Sequence, residues 1–144
     1  MTPREFQEDT IQRRLVSLRR ILGELEKYRN TAAHELRANL SHMYAVFFMI
    51  QQIIDLATDI NQHIATTSLD CVDSTSRRGF ENLIRAGILP AELAQDFYKS
   101  SALRNVITHQ YVEVNLDIIA ASIPAVLEVY GKYTKSIGNW LRGQ

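Results

Sequence analysis

The sequence predicts an all-α fold, an up-and-down helical bundle of about five helices forming one domain over residues 1–144. Three observations carry that expectation. No segment sustains the period-two alternation of a half-buried strand. Apolar residues recur instead at three- and four-residue steps over long stretches. Helix-starting and helix-stopping residues punctuate those stretches: Thr2, Pro3 and Glu5 at the beginning, Gly87 and Pro90 in the middle, Asn115 and Asp117 near the end. A chain of 144 residues is long enough to bury roughly two thirds of its unfolded surface in one core.

The first helix begins where Thr2 caps, Pro3 takes the first turn and Glu5 closes a capping box. It runs to about Tyr28, with Phe6, Ile11, Leu15, Leu18, Ile21, Leu22 and Leu25 as its apolar stripe. Residues 29–39 are polar enough to bend, although 32–38 suit a helix as well. From Leu40 to about Ala65 the chain reads as a second long helix that is apolar nearly all round. Such a helix is either central or covered by a second subunit, and both are expected here. Between Leu40 and Leu69 there is no Lys or Arg, and the acids are Asp55 and Asp59. Asp55 sits among Ile53, Ile54 and Leu56, where an unpaired charge is costly, so it requires a partner in the fold. Residues 66–75 are turn formers and read as an exposed loop, with a helix start at Ser74. Phe80, Leu83 and Ile84 make a short helix closed by Gly87, and Pro90 with Glu92 opens the next, giving a helical hairpin. A last helix follows Asn115 and keeps an apolar stripe to Leu141, although Pro124 and Gly131 are expected to kink or weaken it.

Composition narrows the function. Apolar residues make up 46% and charged residues 22%, the balance of a folded globular chain. The formal net charge is zero, so any nucleic-acid site has to be local. Basic clusters stand at Arg13, Arg14, Arg19 and Arg20, at Arg77 and Arg78, and at Lys132, Lys135 and Arg142. Ordinary solvated charge accounts for each of them equally well. The single cysteine, Cys71, excludes an intramolecular disulfide and fits a reducing compartment. The charged first nine residues lack the core of a signal peptide, and no apolar run reaches about 20 residues, so the expected location is cytoplasmic with no membrane partner.

No glycine-rich phosphate loop, paired-cysteine motif, His-Glu-x-x-His or Gly-x-Ser-x-Gly occurs, and His34, His42, His63 and His109 match no common metal spacing. No metal and no cofactor is therefore expected. What remains is Arg104-Asn105-Val106-Ile107-Thr108-His109-Gln110-Tyr111, at the end of a helical pattern. On a continuous helix Arg104 and Tyr111 fall about 20° apart and Asn105 and His109 about 40° apart, two adjacent polar stripes. Arginine is a permanent forked cation suited to phosphate, and histidine both takes and gives a proton near neutral pH, so the set points to phosphodiester chemistry. A structural reading stands beside it. Cations near a helix C-terminus complement the helix dipole, and a tyrosine there often only covers the edge of the core.

Arg104, four residues, His109, one residue and Tyr111, with polar Asn105 after the arginine, resembles the signature of the HEPN superfamily, specifically of the HepT-like toxins. Residues 79–93 and 103–114 read like the second half of that family, and Ile54-Asp55-Leu56-Ala57 resembles its buried second helix. The resemblance implies the toxin component of a type II or type VII-like toxin–antitoxin system. It implies a metal-independent endoribonuclease, cleaving tRNA or mRNA in a composite site between two subunits. Its implied partners are the RNA substrate, a second copy of the chain, and a minimal nucleotidyltransferase (MNT) antitoxin in a homodimer or higher hetero-oligomer. Arg104, His109 and Asn105 would be the catalytic set, Tyr111 the site of AMPylation and Asp55 a positioning residue. The family often has a histidine about four residues after the helix aspartate, where this chain has Asp59, so no role carries over to Asp59. The alternative is a non-catalytic helical scaffold that binds nucleotide or protein alongside a nucleotidyltransferase.

Overall fold

In the computed structural model, which describes residues 2–69, 75–109 and 113–144 (all but the side chain of Phe6), six α-helices follow one another. They are α1 (Pro3–Leu25), α2 (Ala33–Ala38), α3 (Leu40–Ser68), α4 (Ser76–Arg85), α5 (Ala94–His109) and α6 (Leu116–Arg142), and no strand occurs among the described residues. The all-α bundle expected from the sequence is the fold found. Beyond the expected five, the short α2 fills the stretch left open at residues 29–39. Cys71 and the center of the loop expected at 66–75 lie outside the described residues, and α3 continues through Ser68 into the start of that stretch.

Local chemistry sets the helix ends. The Thr2 hydroxyl accepts from the Glu5 amide at 3.1 Å and the Glu5 carboxylate from the Thr2 amide at 2.8 Å, the reciprocal cap read in the sequence. Asn39 caps α3, Thr75 caps α4 and Asn115 caps α6 through their side-chain oxygens. The start of α4 therefore falls two residues after the expected Ser74. After α4 the chain reverses at Gly87, whose φ of +77° a side-chain-bearing residue rarely adopts. There the Ile88 amide donates back to the Leu83 carbonyl at 2.9 Å and closes the helix end. Despite Pro124 and Gly131, α6 runs as one uninterrupted helix. Burial of Ile119, Ile123, Val126 and Leu127 around the proline offsets its missing amide.

The center of the bundle is α3, packed against α1, α4 and α5. Ile50, Ile53, Ile54, Ala57, Ile60 and Ile64 are buried along it, and Tyr133 of α6 reaches across to donate to the Ala57 carbonyl and the Asn61 side-chain oxygen. Phe80 of α4 stacks on Phe97 of α5 with centroids 4.5 Å apart, and Tyr130 and Tyr133 meet both rings edge-on. This aromatic block locks the α4–α5 hairpin to α6. By length and hydropathy α3 could also cross a membrane, the one such helix among the described residues. Its buried side chains are the core of the bundle. Leu40, Tyr44 and Phe48 are the exception, 59%, 56% and 60% exposed along one ridge.

Candidate functional site

The site is built on α5 and α3. Phe97 anchors α5 in the aromatic block, and Arg104, seven residues on, leaves the same helix face about two turns further along. There it meets Asp55 of α3. Arg104 Nε donates to Asp55 Oδ1 at 2.8 Å and Nη2 to Oδ2 at 3.2 Å, a two-pronged ion pair. The pair supplies the partner that Asp55 was expected to need. The carboxylate is not a core group, however, since its side chain is 42% exposed and that of Arg104 31%. The hydrogen bonds that Arg104 donates to Asp55 raise the Arg104 pKa above its ordinary value, more than burial lowers it, and proximity of the two charges adds to the rise. Arg104 is thus a fixed cation at every working pH.

Asp55 and Arg104 form one wall of a cleft of about 230 Å³, completed by Ile54, Thr58, Ser76, Ser101 and Asn105. Ser76 Oγ lies 3.2 Å from Thr58 Oγ1 and 2.9 Å from Ser101 Oγ, a chain of three hydroxyls from three helices. Sequence reasoning missed all three. Thr58 stands three residues after Asp55 and Ser101 three before Arg104, so each shares a helix face with a charged residue already singled out. The described polar groups can hold and orient an anionic or hydroxyl-bearing ligand. Asn105 is exposed at the cleft, whereas His109 is exposed at the last residue of α5, beyond the cleft lining. The structure therefore brings Asp55, Arg104 and Asn105 together and leaves His109 further along the same helix. Tyr111 lies outside the described residues.

Asp59 is engaged elsewhere. One turn further along α3 and about 40° around it, it pairs with Arg14 of α1, with His63 Nε2 3.7 Å away, and His63 Nδ1 is 2.6 Å from Gln7 Oε1. That network ties α1 to α3. Among the described residues, no three His, Cys, Asp or Glu side chains are grouped to hold a metal ion. A larger cleft of about 640 Å³, near Leu69, Ile88 and Trp140, has no titratable side chain among the described residues that line it.

Comparison with known proteins bears on the family and the fold. The sequence model of a family described as "Ribonuclease HepT-like" matches residues 18–137. The chain is 28% identical over 131 residues to a tRNA nuclease HepT of Aphanizomenon flos-aquae, covering 91% of this chain and 89% of that protein. It is 22% identical over 125 residues to an mRNA nuclease HepT of Shewanella oneidensis, covering 87% and 93%. Among solved structures, the tri-AMPylated Shewanella oneidensis HEPN toxin in complex with MNT antitoxin superposes with a TM-score of 0.81 at 21% identity, covering 91% of this chain and 98% of that one. A toxin–antitoxin structure with AMP-PNP gives the same TM-score, identity and coverage.

Proposed function

Because this chain belongs to the HepT-like ribonuclease family, we infer that it is the toxin endoribonuclease of a toxin–antitoxin pair. It cuts RNA without a metal ion in a site shared by two copies of the chain. The observation that carries the reading is the Asp55–Arg104 pair, which holds a permanent cation at a polar cleft beside Asn105, on the helix that ends in His109.

The chemistry follows from RNA itself. Strand cleavage needs a base for the 2′-hydroxyl proton, an acid for the leaving 5′-oxygen and positive charge for the developing phosphorane. Arg104 supplies the charge and Asn105 orients the phosphate. His109 moves the protons. A single histidine performing both transfers in one turnover is awkward, and a two-fold cleft carrying His109 from each subunit removes the difficulty. The exposed ridge of Leu40, Tyr44 and Phe48 supports such a dimer, because it leads along α3 to Asp55, seven residues beyond Phe48 and about 20° around the helix. Asp55 acts as a positioning residue through Arg104.

The partner is a minimal nucleotidyltransferase antitoxin, which transfers AMP from ATP to the Tyr111 hydroxyl with release of pyrophosphate, adding a negative phosphate and bulk that compete with RNA for the cation. The single cysteine, in keeping with a reducing compartment, supports a cytoplasmic location.

The test uses purified protein and a labelled RNA. His109→Ala and Arg104→Ala should each abolish cleavage while the circular dichroism spectrum and thermal midpoint stay those of the wild type. Excess chelator should leave wild-type cleavage intact. Cleavage by His109→Ala at the wild-type rate would overturn the assignment of the histidine, and loss of activity in chelator alone would overturn metal independence. A wild-type protein that binds its partner but cuts no RNA would point to the scaffold reading instead.

A further inference from the structure

Two basic segments far apart in sequence are joined by the packing of α1 against α6. Residues 10–23 contain no Asp or Glu and carry Arg13, Arg14, Arg19 and Arg20. Residues 129–144 contain none either and carry Lys132, Lys135 and Arg142. Arg13 is neutralised by Asp9 and Arg14 by Asp59. Arg19, Arg20, Lys132 and Lys135 are exposed, and none makes an ion pair of 4 Å or less among the described residues. Among the described residues, Arg142 bonds the Asn139 side chain of its own helix and makes no ion pair of 4 Å or less. In a chain of zero net charge, this is a local excess of cation.

The two arginines converge. A Cβ placed on Gly138 would meet Arg19 Nη2 at 3.1 Å and Arg142 Nη1 at 3.6 Å, so guanidinium groups from two helices share one notch floored by a residue without a side chain. Lys135 stands one turn before Gly138 on α6. Like charges so close repel unless an anion lies between them, and guanidinium forks match phosphate oxygens. Of the exposed large apolar side chains, which the center of a protein interface would need, Leu40, Tyr44 and Phe48 stand together on α3, while α1 carries Val16 and α6 carries Ile118, nearly five turns before Lys135. The surface is also distinct from the cleft, whose described lining comes from α3, α4 and α5 and includes no residue of α1 or α6.

We propose that Arg19, Lys135 and Arg142 form a second phosphate-binding site, one that holds the backbone of an RNA strand outside the cleavage cleft. The proposal rests on the ribonuclease reading for the identity of its ligand, not for the existence of the anion site. It separates two tasks on one molecule. Cleavage is local to the cleft, while capture of long RNA is electrostatic and indifferent to sequence.

The experiment measures binding in the His109→Ala background, with a single-stranded RNA of about 20 nucleotides followed by fluorescence anisotropy over a series of salt concentrations. Each phosphate contact to a single strand contributes about 0.7 to the slope of log affinity against log salt. Replacing all three residues by alanine should therefore lower the slope by about two and weaken binding roughly tenfold or more at low salt. The double replacement Arg19→Lys and Arg142→Lys should keep the slope, which separates charge from packing. With His109 intact, the triple alanine variant should lose kcat/KM on the long RNA and retain it on a dinucleotide. An unchanged slope together with undiminished cleavage of long RNA would overturn the proposal. So would an unchanged slope accompanied by lost binding of a polyglutamate peptide, which would assign the surface to an acidic protein. If the protein with His109 cuts no RNA but the slope still falls by about two, the anion site stands and the ribonuclease reading fails.

Discussion

The carboxylate of Asp55 engages Nε and Nη2 of Arg104 across 49 residues of sequence, at 2.8 and 3.2 Å, and so fixes both the position and the plane of the guanidinium. Two hydrogen bonds in one plane restrict a flexible side chain far more than a single contact would.

Asp55→Asn keeps the size of the side chain and loses the charge that holds the fork. Because the pair is partly exposed, its loss should cost less than about 1 kcal/mol of stability. Displacement of a catalytic cation by an ångström is far more damaging, and cleavage should fall roughly 10- to 100-fold. The loss should appear in kcat more than in KM, and Asp55→Glu should restore part of it. Steady-state cleavage alongside a thermal melt checks both halves. Undiminished kcat in Asp55→Asn would show that Arg104 needs no positioning.

The ridge of Leu40, Tyr44 and Phe48 predicts the oligomeric state. Side chains more than half exposed at successive helical turns form a stripe that a dimer of standard size, burying on the order of 1,200–2,000 Å², would cover. Light scattering at micromolar concentration should give twice the chain mass for the wild type. Tyr44→Glu with Phe48→Glu should give the chain mass and abolish RNA cleavage, with the helical content retained. A monomeric wild type, or a monomeric variant that cleaves normally, would refute the shared site.

Asp55 also shows how far the sequence can be read. An acid among isoleucines and leucine announces that it needs a partner, because desolvation is costly wherever the chain puts it. Which partner is a matter of the long-range packing of α3 on α5, and Arg104 was singled out on separate grounds. The helices were readable because caps and apolar periodicity are local, as at Thr2, Asn115 and Gly87. The hydroxyl chain of Thr58, Ser76 and Ser101 was not, since serine and threonine are common on any helix surface and only three-dimensional proximity distinguishes these. Likewise, the basic clusters of α1 and α6 looked like unrelated solvated charge until Gly138 brought Arg19 and Arg142 together.

Tyr111 lies outside the described residues, and its prediction rests on chemistry and family. A phenol with an ordinary pKa near 10 is a poor base at neutral pH but an adequate acceptor for a transferred adenylyl group. Incubation with the partner nucleotidyltransferase, ATP and magnesium should raise the intact mass by whole AMP increments and switch cleavage off. Tyr111→Phe should show no such increment and escape inactivation. An unshifted wild-type mass, or a Tyr111→Phe protein neutralised as well as wild type, would leave inhibition by complex formation alone.

The aromatic block predicts how the fold fails in alkali. Tyr130 and Tyr133 are fully buried, and burial raises both phenols well above their ordinary value of 10.0. Ser100 gives its own hydrogen to the Phe97 carbonyl at 2.7 Å, so Tyr130 donates to Ser100 across 2.7 Å and remains protonated to do so. Tyr133 likewise donates to the Ala57 carbonyl at 3.0 Å and to the Asn61 side-chain oxygen at 2.6 Å. A pKa raised by folding means that the stabilisation is fully present below pH 10 and is lost above it, because the unfolded chain gives up these protons first. Each tyrosine should therefore lower stability by up to about 1.4 kcal/mol per pH unit above pH 10. Tyr130→Phe should cost about 1 kcal/mol at neutral pH through its lost hydrogen bond, yet roughly halve the alkaline slope. Denaturant unfolding between pH 8 and 11.5 reads both effects. A wild-type stability that stays level from pH 9.5 to 11.5, or an unchanged slope in Tyr130→Phe, would contradict the assignment of alkaline sensitivity to these two buried phenols.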